Sequence, residues 1–380
     1  MSRSILAAPV AALAIALLTW SAAAAEPAHA DGAAAGPWTV VPSPSVGGGA
    51  NYLDAVTAFS STDAWAVGSY QSEVTAQFIT LAEHWDGTRW RIAPTPNATG
   101  GYNELYAVDG ASSSDIWAVG YSNRGAFGTE RTLALHWNGA AWSIVRSPSL
   151  GTNASVLHAL VVVAPDDAWA AGFGNSPNNQ SGQALIEHWD GIRWRIAATP
   201  PTGGGFAEIN GLAAVSADDI WAVGDAHGAP LAMHWDGVTW SIVPVGGGTQ
   251  AGLTSVAGTA SGDVWAAGFR GSRTLVEHWN GATWSMAASP NGPMDESAFE
   301  GVAAFGSSDA WAVGSTFDSL TGDARNLSAR FAGSNWTGVA TPNPSAEYDS
   351  LLGIGGLAGG DVWAVGTADG RTLVLRAIDA

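Results

Sequence analysis

The chain has 380 residues, with 33 acidic against 14 basic side chains and a net charge of −19, and it holds neither cysteine nor lysine. Such a charge argues against duplex nucleic acid and anionic lipid as partners. Without cysteine there is no disulfide, thiolate metal site or thiol nucleophile, so the chain has to be held together by a large buried core.

The first thirty residues read as a secretory signal. Arg3 is the positive start, Ile5 to Trp20 is apolar, and Ala23-Ala24-Ala25 or Ala28-His29-Ala30 offers a small-residue cleavage site. The apolar run falls short of the roughly 20 residues a bilayer needs, no later run is longer, and the C-terminal Arg376-Ala377-Ile378-Asp379-Ala380 carries no anchor pattern. The expected product is a soluble, secreted, extracellular protein whose one domain spans residues 37–380.

That domain is a repeat. The phrase D-x-W-A-[VA]-G occurs seven times, at Trp65, Trp117, Trp169, Trp221, Trp265, Trp311 and Trp363, with spacings of 44 to 52 residues. Nine residues before each tryptophan stands an aliphatic residue (Val56, Val108, Leu160, Leu212, Val256, Val302, Ile354), and three before that another large apolar one, from Leu53 to Leu351. This is a short buried strand, a turn and a second strand. A variable loop follows, then T-L-x-E-H-W-[DN]-G-x-x-W, complete from Thr80 to Trp90 and varied in the later units. Asp-Gly or Asn-Gly between two apolar runs signals a tight hairpin with φ > 0 at both turn positions. Each unit therefore holds four antiparallel strands, the sequence form of a propeller blade.

The chain ends settle the closure. The seventh unit stops at its third strand, Thr372 to Arg376, and the missing fourth strand lies at the other end as Trp38 to Pro44, matching Trp142 to Pro148. The fold class expected is all-β: a seven-bladed β-propeller closed by its N-terminal strand. The repeats resemble the bacterial seven-bladed propellers built from W-A-V-G units, and the H-W-[DN]-G-x-x-W hairpin resembles a shortened Asp-box of sialidase-type propellers. The resemblance covers Pro37 to Ala380. It implies architecture; propellers host lectins, lyases, glycosidases and scaffolds alike.

Residues present in every unit are most simply frame. The seven aspartates from Asp63 to Asp361 read as turn formers accepting backbone N–H bonds. No D-x-D-x-D-G loop points to calcium. His84, His136, His188, His234 and His278, with Arg330 and Arg376 in the same slot, lie on separate blades and cannot share one metal; with the tryptophans they are expected to pack the outer blades. No metal, cofactor or catalytic residue is assigned.

Function is expected where the repeat departs from its own frame. One residue past the first apolar position of the inner strand come Asp54, Tyr106, His158, Asn210, Thr254, Glu300 and Leu352, all different, each followed by a small residue. They are candidate channel lining. Tyr70, Tyr121, Phe173 and Phe269 open the loops on the same face and are candidate ligand-binding rings, suited beside acceptors to stacking on a sugar. No G-x-S-x-G, H-E-x-x-H or phosphate loop is present.

The leading expectation is a non-catalytic, lectin-like protein that recognises a carbohydrate or cell-surface receptor, with secreted proteins as further partners. By resemblance, such a propeller also serves as the target-binding part of a secreted antibacterial toxin assembly. The rivals are a lyase or glycosidase using His158, Glu300 and Asp54, and a protein-protein scaffold.

Overall fold

The computed structural model describes residues 36–98, 100–123, 129–151, 154–176 and 179–378; the stretch read as a signal lies outside them. Among the described residues there is no helix, and 28 strands form seven four-stranded antiparallel sheets. No helix is long and apolar enough to cross a membrane.

In blades 1 to 6 the four strands follow in chain order from the channel outward. Their inner strands are Asn51–Ser60, Asn103–Ser112, Ser155–Ala164, Ala207–Ser216, Ala251–Ala260 and Glu296–Gly306. Blade 7 takes Asp349–Gly356, Asp361–Ala368 and Arg371–Ile378 from the C-terminal end and Trp38–Val40 as its outer strand, with Trp38 opposite Ala377 and Val40 opposite Leu375. The closure read from the sequence is present.

Each second strand is covered on both faces by neighbouring blades, which is why W-A-V-G reads as a continuous apolar run instead of an alternating one. The core is divided among the blade interfaces, with each apolar cluster joining two adjacent blades. Tryptophans lock them, as expected. Trp65 of blade 1 lies 4.8 Å from Trp137 and 5.5 Å, edge-on, from Trp142 of blade 2. The pattern runs round the ring to Trp363 of blade 7, which meets Trp85 and Trp90 of blade 1.

Two expectations are corrected. The repeated aspartates do not serve the turn; they face the third strand, where His84 Nε2 lies 2.9 Å from Asp63 Oδ1 and His136 Nε2 lies 2.6 Å from Asp115 Oδ1. In blades 6 and 7 the partners are Arg330 at 2.9 Å and Arg376 at 2.6 Å. The same histidines stack on the second-strand tryptophan, His188 on Trp169 at 4.2 Å, and Arg330 lies 4.9 Å over Trp311 as a cation–π contact. One Asp–His or Asp–Arg–Trp unit thus repeats in all seven blades. The hairpin also differs. Trp85 pairs with Trp90, so the turn has four residues, and only its glycine takes positive φ, 87° at Gly87. Asp86 instead caps the turn, its Oδ1 accepting the N–H groups of Thr88 and Arg89 at 3.0 Å.

Candidate binding site at the channel mouth

The seven variable residues of the inner strands share one backbone feature. In every blade the register between inner and second strands slips at that residue: Leu53 faces Gly68, Ala55 faces Val67, and Asp54 is the unpaired residue of a β-bulge. Tyr106, His158, Asn210, Thr254, Glu300 and Leu352 stand at the same slip in their blades. A bulge turns the extra side chain out of the ladder. The glycine of W-A-V-G permits it: a Cβ on Gly68, Gly120, Gly224 or Gly366 would fall 1.9–2.1 Å from the carbonyl oxygen two residues before the bulge. The small residues that follow are required as well. A Cβ on Gly353 would lie 2.5 Å from Asp54 O of the next blade, and one on Gly211 would lie 2.9 Å from Ser255 Cα.

All seven bulge residues are half-buried, yet they do different things. Asn210 Nδ2 donates to Leu253 O at 3.1 Å and Thr254 Oγ1 donates to Phe299 O at 2.7 Å, so these two stitch one inner strand to the next. Asp54 accepts a hydrogen bond from no described residue; burial and the nearby Glu104 hold its carboxyl well above the usual range. Burial alone pushes Glu300 to about 7. Asp54 and Glu300 stand on blades 1 and 6, and neither is among the causes that raise the other. Burial lowers His158 to about 4, so it is a neutral imidazole at pH 7.

Sequence reasoning missed the acids that complete the mouth. They stand two residues before the bulge, in the ladder pair one step nearer the loops: Glu104 opposite Tyr121 and Glu208 opposite Asp225. Glu104, 7 % exposed, accepts from Tyr121 Oη at 2.5 Å and Tyr106 Oη at 3.3 Å, and burial raises it. Glu208, also 7 % exposed, has Asp225 across the ladder and His158 Nδ1 3.9 Å away. Burial and the neighbouring carboxylate raise Glu208, and burial raises Asp225. The available signal was the register itself: E-L-Y and E-I-N place an acid on the same strand face as the bulge residue.

The candidate rings divide. Tyr121, Tyr106, His158, Phe173 and Phe206 form a contact series over blades 2 to 4, with successive centroids 6.0, 5.4, 5.8 and 5.5 Å apart. Tyr70 packs instead against the core between blades 7 and 1. Phe269 lies over Gly252, where an added Cβ would come within 3.1 Å of its ring. None of the four rings singled out in the sequence is fully exposed.

The mouth is therefore lopsided. At the position of Glu104 and Glu208, blades 5, 6 and 7 carry Gly252, Ala298 and Ser350. Towards the opposite end, inner-strand residues of blades 1, 5, 6 and 7 line a cavity of about 520 Å3, among them Val56, Ala257, Val302 and Gly355. Among the described residues no group of three or more acids or histidines is placed to hold a metal ion.

The chain matches no protein-family model and no curated protein. Among solved structures it is similar to YCF48 bound to a D1 peptide, with 17% identity, a TM-score of 0.57 and 90% of this chain and 96% of that one covered. It is similar to virginiamycin B lyase from Staphylococcus aureus at 10% identity, with a TM-score of 0.58 and 85% and 94% covered. The WD40 repeats of RRP9 align at 9% identity, with a TM-score of 0.56 and 90% and 97% covered. At such identities the likeness is one of fold alone, that of a seven-bladed β-propeller with four antiparallel strands per blade.

Proposed function

We propose that the chain is a secreted, non-catalytic binding protein that takes a segment of a protein partner at the channel mouth. The observation that carries this reading is the set of seven bulges: a frame held nearly constant from blade to blade turns out seven different side chains at one level, while two residues before the bulge blades 2 and 4 carry Glu104 and Glu208 and blades 5 to 7 carry Gly252, Ala298 and Ser350. A rigid ring that presents a varied, lopsided mouth suits recognition. That a propeller of similar fold binds a peptide, as the YCF48 structure with a D1 peptide does, supports a polypeptide ligand. Secretion rests on the N-terminal pattern of Arg3, the apolar run and the alanine-rich cleavage site.

Two observations weigh against the carbohydrate reading. Sugars stack on open ring faces, whereas the rings here are half-buried and packed on one another. Of the candidate lining residues, Asn210 Nδ2 and Thr254 Oγ1 are already engaged, each donating to a backbone carbonyl of the next blade.

A second reading, acid–base chemistry, is favoured by one specific cluster. At neutral pH His158 is an unprotonated base beside Glu208, a carboxyl that holds its proton. The discriminating experiment runs a glycan array and a random-peptide display side by side on the protein from Asp31, with Tyr106→Ala as the mouth control. Enrichment of peptides that Tyr106→Ala weakens is the expected result. Glycan-only binding, or peptides indifferent to that change, overturns it.

A further inference from the structure

We propose that Asn138 and Asn280, in the turns between the third and fourth strands of blades 2 and 5, are sites of self-modification, where the side-chain amide is lost to the glycine that follows and then to water. These turns join the two outer strands of their blades and stand apart from the mouth.

The chemistry needs an amide carbon held against the next peptide, a free N–H to attack it, and a place for negative charge on the amide oxygen. Asparagine followed by glycine occurs four times, at Asn138, Asn210, Asn280 and Asn291. Glycine, without a Cβ, leaves its own N–H open to that attack. The fold treats the four pairs differently. Asn138 Oδ1 accepts the N–H groups of Ala140 and Ala141, both at 3.0 Å. Asn280 Oδ1 accepts those of Ala282 and Thr283, again at 3.0 Å. Because the oxygen reaches past the glycine to the next two N–H groups, the amide carbon is held alongside the Asn–Gly peptide. No described residue accepts from the N–H of Gly139 or Gly281, and both asparagines are exposed to water.

The other two pairs lack this arrangement. Asn210 is half-buried in an inner strand, with Nδ2 donating to Leu253 O at 3.1 Å. Asn291 Oδ1 accepts from Thr274 N at 2.9 Å, and the N–H of Gly292 is committed to Ser297 Oγ at 3.1 Å. Asn210 has its amide tied and Asn291 its nucleophile.

Two backbone N–H groups aimed at one oxygen form an oxyanion site. Its preference for negative charge is visible in blade 4, where Asp236 takes the same turn position: the N–H groups of Thr239 and Val238 hold its carboxyl below the usual range. In blade 2, Gly139 N attacks Asn138 Cγ, its proton passes to solvent, and Oδ1 carries the charge between the two donors. The Cγ–Nδ2 bond then breaks, the leaving nitrogen takes a proton from solvent as ammonia, and a succinimide remains. Water opens that ring at either carbonyl. Asparagine and one water thus become aspartate or isoaspartate and one ammonia, with no change of oxidation state. Asp86, Asp190 and Asp236 also precede glycine but resist, since an ionised carboxylate is no electrophile. The two products differ in effect. Aspartate inherits the cap that Asp236 shows. Isoaspartate adds a methylene to the main chain between Trp137 and Trp142, whose pairing sets Trp142 against Trp65 of blade 1, and so loosens that joint.

The test holds the protein from Asp31 at mildly alkaline pH in heavy-oxygen water, folded and in urea, and follows each Asn–Gly pair by peptide mass spectrometry. In the folded protein Asn138 and Asn280 should convert at least roughly tenfold faster than Asn210 and Asn291, and in urea the four rates should converge. Folded protein with isoaspartate at position 138, separated by ion exchange, should melt below Asn138→Asp, which should melt with the wild type. Equal rates at all four pairs in the folded protein, or the same spread of rates in urea, overturns the inference. Equal melting of the isoaspartyl protein and Asn138→Asp overturns the effect on the blade joint.

Discussion

A methyl group at Gly268 would place its carbon 2.1 Å from Gly252 O, deep inside contact distance, and backbone cannot yield as a side-chain tip can. Gly268→Ala should cost about 2–4 kcal/mol, because the inner strand must shift and flatten the bulge that turns out Thr254. Gly306, which has open space around its Cβ position and no positive φ, is the control: Gly306→Ala should stay within about 0.5 kcal/mol. Chemical denaturation of both variants decides, and equal midpoints would remove the proposed reason for the repeated glycine. At this scale the sequence revealed less than it held. Seven varied residues beside small ones were visible as channel lining, but their bulges were not, since a bulge is a relation between two strands. Glu104 and Glu208 escaped for the same reason, as their partners Tyr121 and Asp225 lie 17 residues further on.

The third strand carries its own strain. Glu83, Glu187 and Glu277 are fully buried in blades 1, 3 and 5, where blade 2 has the equally buried Leu135. Burial raises Glu83 and Glu187 to about 8 and Glu277 to about 7, and neither carboxyl oxygen of Glu277 has a hydrogen-bond partner. Below the unfolded value near 4.5 each acid is neutral in both states and costs nothing by ionisation. Between that value and the folded one the unfolded chain ionises while the folded chain does not, so stability falls as pH rises, by up to about 3–5 kcal/mol per group. The protein should melt lower at pH 8 than at pH 5. Glu277→Leu should flatten that slope and add about 1–3 kcal/mol at pH 8. An unchanged slope in pH-dependent denaturation would show that Glu277 meets donors the structure does not contain. Strand order and the tryptophan interfaces were legible because each is written seven times. The hairpin turn was not, because Asp-Gly in a two-residue and in a four-residue turn reads alike until Trp85 is seen opposite Trp90.

Six blades are tied by covalent hairpins, and the seventh is completed from the far end of the chain, so the closure of the whole ring depends on a short strand. Trp38 is 4 % exposed, lies edge-on to Trp311 at 5.2 Å, and donates from Nε1 to Ser328 Oγ at 3.1 Å. Val41 N donates to Val374 O at 2.9 Å and Ser43 Oγ to Thr372 Oγ1 at 2.6 Å. Closure of this kind joins residues over 300 positions apart, and its entropic cost is met once for the whole molecule. Trp38→Ala should cost about 3–5 kcal/mol, as for any large buried side chain. Removal of residues 1–45 should do more than lower the melting temperature: it leaves Arg371–Ile378 as an uncovered edge, and an open edge pairs with other chains. Sedimentation velocity should then show association that grows with concentration, and a synthetic peptide of residues 36–46 should restore both the monomer and the melting temperature. Trp194, equally buried in blade 3, separates the two effects. Trp194→Ala removes similar contacts but leaves the chain continuous, so the peptide should not rescue it. A truncated protein that stays monomeric with an unchanged melting temperature would mean that blades 1 to 6 hold the ring without its closing strand.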